Sequence, residues 1–118
     1  MSQIDGLEEV NDLDPLIHAP ARLLIMAVLA SVASADFLYL LRETTLTKGN
    51  LSSHLARLEE AGYVGIEKRF VGKKPHTLCR ITEAGRQAFA GYRARMQRIV
   101  ASLPGDGAGA AAVEGEAG

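Results

Sequence analysis

Apolar residues recur at every third position in Ile4, Leu7, Val10 and Leu13, a spacing compatible with a short amphipathic helix. Asp14-Pro15 suits a turn or a helix start, and Pro20 suits the first position of a helix running to about residue 32. That helix is apolar on several sides (Leu23, Leu24, Met26, Ala27, Val28, Leu29), so it is expected to be the most buried. Ser34-Ala35-Asp36 supplies an N-cap ahead of FLYLLRE, a helix of about two turns over 36–43. Thr44-Thr45 ends it, and Thr47 can cap the next helix. In LTKGNLSSHLARLEEAGYV, residues 46–64, Leu51, Leu55 and Leu58 fall at i, i+4 and i+7 and form one inward stripe. Gly62 sits where a left-handed C-cap residue belongs.

The period then changes. YVGIEKRF and HTLCRIT are short and rich in β-branched or aromatic residues, and V-G-K-K-P separates them, which predicts a two-stranded hairpin with a basic tip. Pro75 cannot donate to a ladder and belongs in the loop or at a strand end. Thr82-Glu83 opens a last helix with the stripe Ala84, Ala88, Phe89, Tyr92, Met96, Ile99, Val100 and Leu103. The expected fold is therefore mainly α with a small β-hairpin (α+β). Helices 36–43 and 47–61 form a helix-turn-helix and the hairpin is its wing. The expected organisation is an N-terminal amphipathic segment over 1–13, the winged domain over 14–103, and a small, acidic, disordered tail over 104–118.

Composition narrows the class of protein. A chain of 118 residues has room for one domain, and 47% hydrophobic residues with 5% aromatic and no Trp predict an aliphatic core. The start, MSQIDGLEEVNDLD, is acidic and lacks the features of a signal peptide. The most apolar run, 23–35, has 13 residues, below the roughly 18 that suggest a membrane span. A single cysteine, Cys79, allows neither an intrachain disulfide nor a thiolate metal cluster. These features lead to the expectation of a soluble cytoplasmic protein with no membrane partner.

Net charge is −1, but its distribution is uneven. Residues 42–98 hold twelve Lys or Arg against five Glu, a net +7, while residues 1–15 carry −5 and those after Leu103 carry −3. A basic middle between acidic ends is the asymmetry of an electrostatic footprint for nucleic acid. The helix over 47–61 adds a second sign. Its outer face carries Lys48, Asn50, Ser52, Ser53 and Arg57 rather than the Glu and Lys that fill ordinary solvated faces. Asn50 can hydrogen-bond adenine, and Arg57 or Lys48 can reach guanine or phosphate, with Ser52 and Ser53 beside them. Gly49, Ser53 and Ala56 are small enough to allow close approach, and the first-turn amides from Lys48 to Asn50 suit a phosphate. Thr47, Arg69, Lys73, Lys74 and His76 are the candidate backbone contacts, the last four clustered around the hairpin turn, where a stiff basic loop can touch the minor groove or its flanking phosphates. His54 falls near the buried edge of the helix and is expected to be structural. The ordinary alternative is capping hydroxyls and a solvated lysine loop.

The segments DPLIHAPARLLIMAVL and DFLYLLRETTLTKGNLSSHLARLEEAGYVGIEKRFVGKKPHTLCRITEAGRQAF resemble the stand-alone winged-helix transcriptional regulators related to MarR and ArsR. The likeness is greatest to a small subgroup with "TxGNLSxHLxxLExAGYV" and "KxFVGxxPxTxxxIT/LTxxGR", and it spans roughly residues 14–92. It implies a homodimer on pseudo-palindromic double-stranded DNA near promoters, with the dimer interface made by the terminal helices; the expected function is that of a repressor.

The apolar stripes suggest the same interface independently: Leu7 and Val10 near the start, and Phe89, Tyr92, Met96, Ile99 and Leu103 near the end. The alternative is that both terminal helices fold back on their own core. No cofactor is expected, since His18, His54 and His76 share no metal-ligand spacing and Cys79 reads as a small buried hydrophobe. No phosphate-binding glycine loop or nucleophile elbow occurs, so an enzyme is not expected, and nothing names a small-molecule effector. The competing function is a winged-helix module whose basic face meets an acidic protein.

Overall fold

The segment before the first α-helix is not α-helical. In the computed structural model, which describes residues 7–105, Leu7–Asp12 is a 3-10 helix. Its three residues per turn account for the every-third apolar spacing, which an α-helix fits less well. Ile4, expected in the same stripe, lies outside the described residues, as does the chain after Gly105. Asp14 then makes a tight turn in which its Oδ1 accepts from the Leu16 amide at 2.9 Å.

Helix α1, Pro20–Ala30, carries Pro at its first position. It ends two residues earlier than its apolar pattern suggests. Ile25, Met26 and Leu29 are completely buried along its inner side. Strand β1, Ala35–Asp36, leads directly into helix α2, Phe37–Thr44. Asp36 caps α2 by accepting from the Tyr39 amide at 2.8 Å. The helix closes on Thr45 in the left-handed region at φ 55°, a position a β-branched residue takes only under outside constraint. Leu46 is half-buried beneath this turn, packed on the core.

Thr47 starts helix α3, Lys48–Glu60, by accepting from the Asn50 amide at 3.1 Å. At the other end the Gly62 amide donates to Glu59 O at 2.9 Å and the Tyr63 amide to Leu58 O at 3.0 Å. This pair of bonds, with Gly62 at φ 82°, is a Schellman termination. It reverses the chain straight into strand β2, Val64–Val71, which pairs antiparallel with β3, Lys74–Ile81. Only Gly72 and Lys73 separate the strands, and Gly72 at φ 65° takes the first turn position that a two-residue turn reserves for glycine. Helix α4, Glu83–Ser102, follows.

Two features of the sheet depart from the pattern-based expectation. The sheet has three strands in the order β1-β3-β2, because Ala35 and Asp36 pair with Cys79 and Leu78. And Pro75 lies within β3 opposite Phe70, rather than in the loop. Strand β1 reaches only as far as Leu78, so at Pro75 that side of β3 is an edge with no ladder bond to lose.

The core gathers Ile17, Ile25, Met26, Leu29, Leu40, Leu51, Leu58 and Cys79, all fully buried. Cys79 is packed as a small hydrophobe, and burial pushes its thiol up to about 11, with Glu59 and Asp36 adding to the shift. No described helix is long and apolar enough to cross a membrane.

The terminal stripes need a correction. Tyr92 and Ile99, expected at a dimer interface, are buried in the chain's own core at 6% and 7% exposure. Phe89 and Met96 pack half-buried against the same core. The 3-10 helix lies on α4, where Arg98 Nε donates to Glu9 at 2.9 Å and Arg95 reaches Glu9 and Asp12 at 3.5 and 3.6 Å. Tyr92 OH meets His18 Nδ1 at 2.8 Å, and Leu13 is buried below them. Val10 and Leu103 remain exposed, together with Leu24 and Val100.

Candidate nucleic-acid interface

With Leu51, Leu55 and Leu58 turned inward, helical geometry leaves Lys48, Asn50, Ser52, Ser53 and Arg57 exposed on the outer side of α3. All five are accessible but spread over a wide arc: at about 100° per residue, Ser53, Arg57 and Asn50 gather on one side of the helix, and Ser52 and Lys48 lie on the other flank. Thr47 is exposed too; its hydroxyl oxygen accepts the cap bond, which leaves its O–H able to donate. That cap also consumes the Asn50 amide, so the first-turn donors left for an anion are those of Lys48 and Gly49. A Cβ at Gly49 would meet nothing within 4 Å, consistent with a flat approach surface.

His54 sits at the edge of this surface, half-buried. Arg22 of α1 donates from Nη1 to its Nδ1 at 3.2 Å and from Nε to Leu16 O at 2.6 Å. One guanidinium thus ties the N-terminal turn and the first long helix to α3. An arginine has no lone pair to offer, so Nδ1 must be the acceptor and the ring neutral. Burial, with Arg22 and Arg57 nearby, lowers the His54 pKa below its ordinary value. The neutral ring's contribution to stability is complete above the ordinary 6.5 and is lost as pH falls through the lowered folded value. The expected result is a melting temperature that declines between pH 7 and 5 more steeply in wild type than in His54→Gln. Parallel profiles from the two proteins would show that this contact has no such role.

The hairpin stands beside α3. Along β2 the alternation Val64, Ile66, Lys68, Phe70 forms one face, with Ile81, Cys79, Thr77 and Pro75 opposite on β3. Toward the tip this face leaves the core and becomes one wall of a groove of about 390 Å³. Phe37, Ser52, Leu55, Ala56, Glu59, Ile66, Lys68 and Thr77 line it. Lys68 lies in the angle between α3 and the hairpin and is not among the residues that the charge cluster at the tip singles out. The strand period running from Val64 and Ile66 is the signal that would have found it.

Lys73 and Lys74 are exposed at the tip, and His76 is half-buried on the other face of β3. Arg69 is exposed but engaged with Glu67, an ion pair that holds the Glu67 carboxyl below its usual range. An exposed pair of this kind is weak and can exchange partners. The base of the hairpin is firmer. Thr82 Oγ1 donates to Gly62 O at 2.6 Å and accepts from the Gly85 amide at 3.0 Å, and Tyr63 OH donates to Asp14 Oδ2 at 2.5 Å. That bond, with burial, pushes the Tyr63 phenol up to about 12. Among the described residues no group of three or more His, Cys, Asp or Glu is placed to hold a metal ion.

Residues 21–100 match the model of the winged helix DNA-binding domain. The chain belongs to that family. An uncharacterized protein of Methanocaldococcus jannaschii is 36% identical over 77 residues, 65% of this chain and 84% of its relative. Among solved structures, a transcriptional regulator homologue from Pyrococcus horikoshii superposes with a TM-score of 0.75 at 28% identity, covering 80% of this chain and 96% of its own. A MarR-family regulator from Silicibacter pomeroyi gives 0.58 at 21% identity, over 82% of this chain and 62% of its own, a likeness of fold. With its winged helix, α3 and hairpin arranged as above, the protein is a DNA-binding transcriptional regulator.

Proposed function

We propose that the protein is a cytoplasmic homodimer that binds a pseudo-palindromic operator with sequence preference and acts as a repressor. In each subunit α3 enters the major groove, reading bases with Lys48, Asn50, Ser52, Ser53 and Arg57. Thr47, the wing residues Arg69, Lys73, Lys74 and His76, and the open Lys48 and Gly49 amides take the phosphates. The observation that carries this reading is the coplacement of α3's exposed polar face with a basic wing, while its leucines anchor it to the core. Two copies meet through the apolar positions the core leaves open, Val10, Leu24, Val100 and Leu103, with Phe89 and Met96 beside them, whereas the Leu7 side chain lies outside the described residues. A dimer seated near a promoter closes that DNA to polymerase, which makes repression the direct outcome.

The test is titration of purified protein against duplex DNA from upstream of its own gene over a series of salt concentrations. If about three phosphates are neutralised per subunit, the log–log slope of affinity against salt is expected near about −5. Lys73→Ala and Lys74→Ala should each make it shallower by about 2 per dimer, weakening all sequences alike. Salt-independent association, or none at all, would overturn the proposal.

A further inference from the structure

The wing tip carries a feature that phosphate contact does not explain. Phe70 is 75% exposed and Val71 63%, the two most exposed large hydrophobic side chains among the described residues. Phe70 is also placed with some exactness. It shares a strand face with Lys68, which lines the groove under α3, so it projects on the side of the recognition helix. Pro75 stands opposite it and stiffens the support, and the turn at Gly72 and Lys73 is too short to let the tip sag.

Cations bracket it along both strands: Lys68 and Arg69 before, Lys73 and Lys74 after. The acid in this stretch, Glu67, is already engaged by Arg69. A second copy docking here would bring two such cationic sets together around the phenyl rings. An apolar protein partner would leave the cations without counter-charge. A DNA minor groove supplies phosphates on both rims and, between them, stacked bases into which an aromatic ring can lever.

We propose that Phe70 is an apolar wedge that enters the minor groove flanking the α3 contact and bends the duplex by partly unstacking a base step, with Val71 against the groove wall. The inference rests on the DNA-binding reading above and adds deformation of the DNA to it. Recognition then includes sequences the protein never touches by hydrogen bond, since flexible pyrimidine–purine steps unstack at lower cost.

The experiment uses the full chain and a duplex of about 30 base pairs from upstream of its own gene, carrying a donor and an acceptor fluorophore at its ends. Wild type should bind and shorten the end-to-end distance, as a bend of about 20° or more requires. Phe70→Ala, made once in each subunit of the dimer, should bind more weakly by about 30-fold or more. Its salt slope should be unchanged and its end-to-end distance should stay close to that of free DNA. Phe70→Leu, which keeps an apolar wedge, should restore most of the bend, and Lys73→Ala should keep the bend with a shallower salt slope. Because Phe70 is exposed, melting temperature should be the same in all four proteins. Binding and bending by Phe70→Ala at wild-type levels would overturn the wedge alone. A loss of dimer mass by light scattering in Phe70→Ala would overturn it in favour of self-association. Failure of wild type to bind would overturn the proposed function together with it.

Discussion

Gly85→Ala is expected to lower the melting temperature by about 10 °C, a net loss of about 2 kcal/mol. The reason is contact, not backbone freedom. A Cβ at position 85 would lie 2.1 Å from the Tyr63 carbonyl oxygen, 2.9 Å from its carbon and 3.0 Å from Ile81 Cγ1. The first two are backbone atoms and cannot rotate aside. The same carbonyl accepts from the Thr82 amide at 3.0 Å, so retreat would strain the bonds that join the base of the hairpin to α4. Alanine recovers about 1 kcal/mol of helix propensity, which overpacking of 1–3 kcal/mol or more against rigid atoms should exceed. Gly49→Ala is the control, because nothing lies within 4 Å of its Cβ. It should hold or raise the melting temperature. Equal melting of Gly85→Ala and wild type, by circular dichroism or calorimetry, would show that α4 can shift off β2 freely.

That glycine also illustrates where sequence pattern stops. The "ITEAGR" segment is legible as a helix start, and Thr82 caps it as its position predicts, yet the close approach to Tyr63 is a tertiary fact with no local sign. Local chemistry was legible wherever a single element decided it. The stripe of Leu51, Leu55 and Leu58, the Thr47 and Asp36 caps and the Gly62 terminator follow from helix geometry and hydrogen-bond supply alone. The two-residue strand β1 was hidden because Ala35 and Asp36 also form the helix start, and Asp36 serves both as strand pair and as cap. Ile17 was hidden because it lies in a turn with no period, although it is fully buried. The terminal stripes were over-assigned to a partner for the opposite reason. Periodicity shows that a face is apolar, not whose core it joins, and the acidic residues Glu9 and Asp12 facing Arg95 and Arg98 were the sequence clue that 7–12 returns to α4.

On the proposed base-reading face, Asn50→Ala and Arg57→Ala are each expected to lower affinity for the preferred operator while leaving binding to unrelated duplexes nearly unchanged. A well-placed amide on adenine or guanidinium on guanine discriminates by about 1–3 kcal/mol. In a homodimer on a two-fold site each substitution is made twice, so the loss compounds to between about 30-fold and about 20,000-fold. Both side chains are exposed and, among the described residues, make no hydrogen bond, so melting should not change. The two positions separate by reach. Asn50 lies in the first turn, where a short amide suffices, and Arg57 two turns later, where only a long side chain can return to the groove. Measuring affinity for the operator and for a scrambled duplex at one salt concentration checks both. If Arg57→Ala weakens the two duplexes equally and flattens the salt slope, Arg57 holds a phosphate, and reading falls to the first two turns of α3.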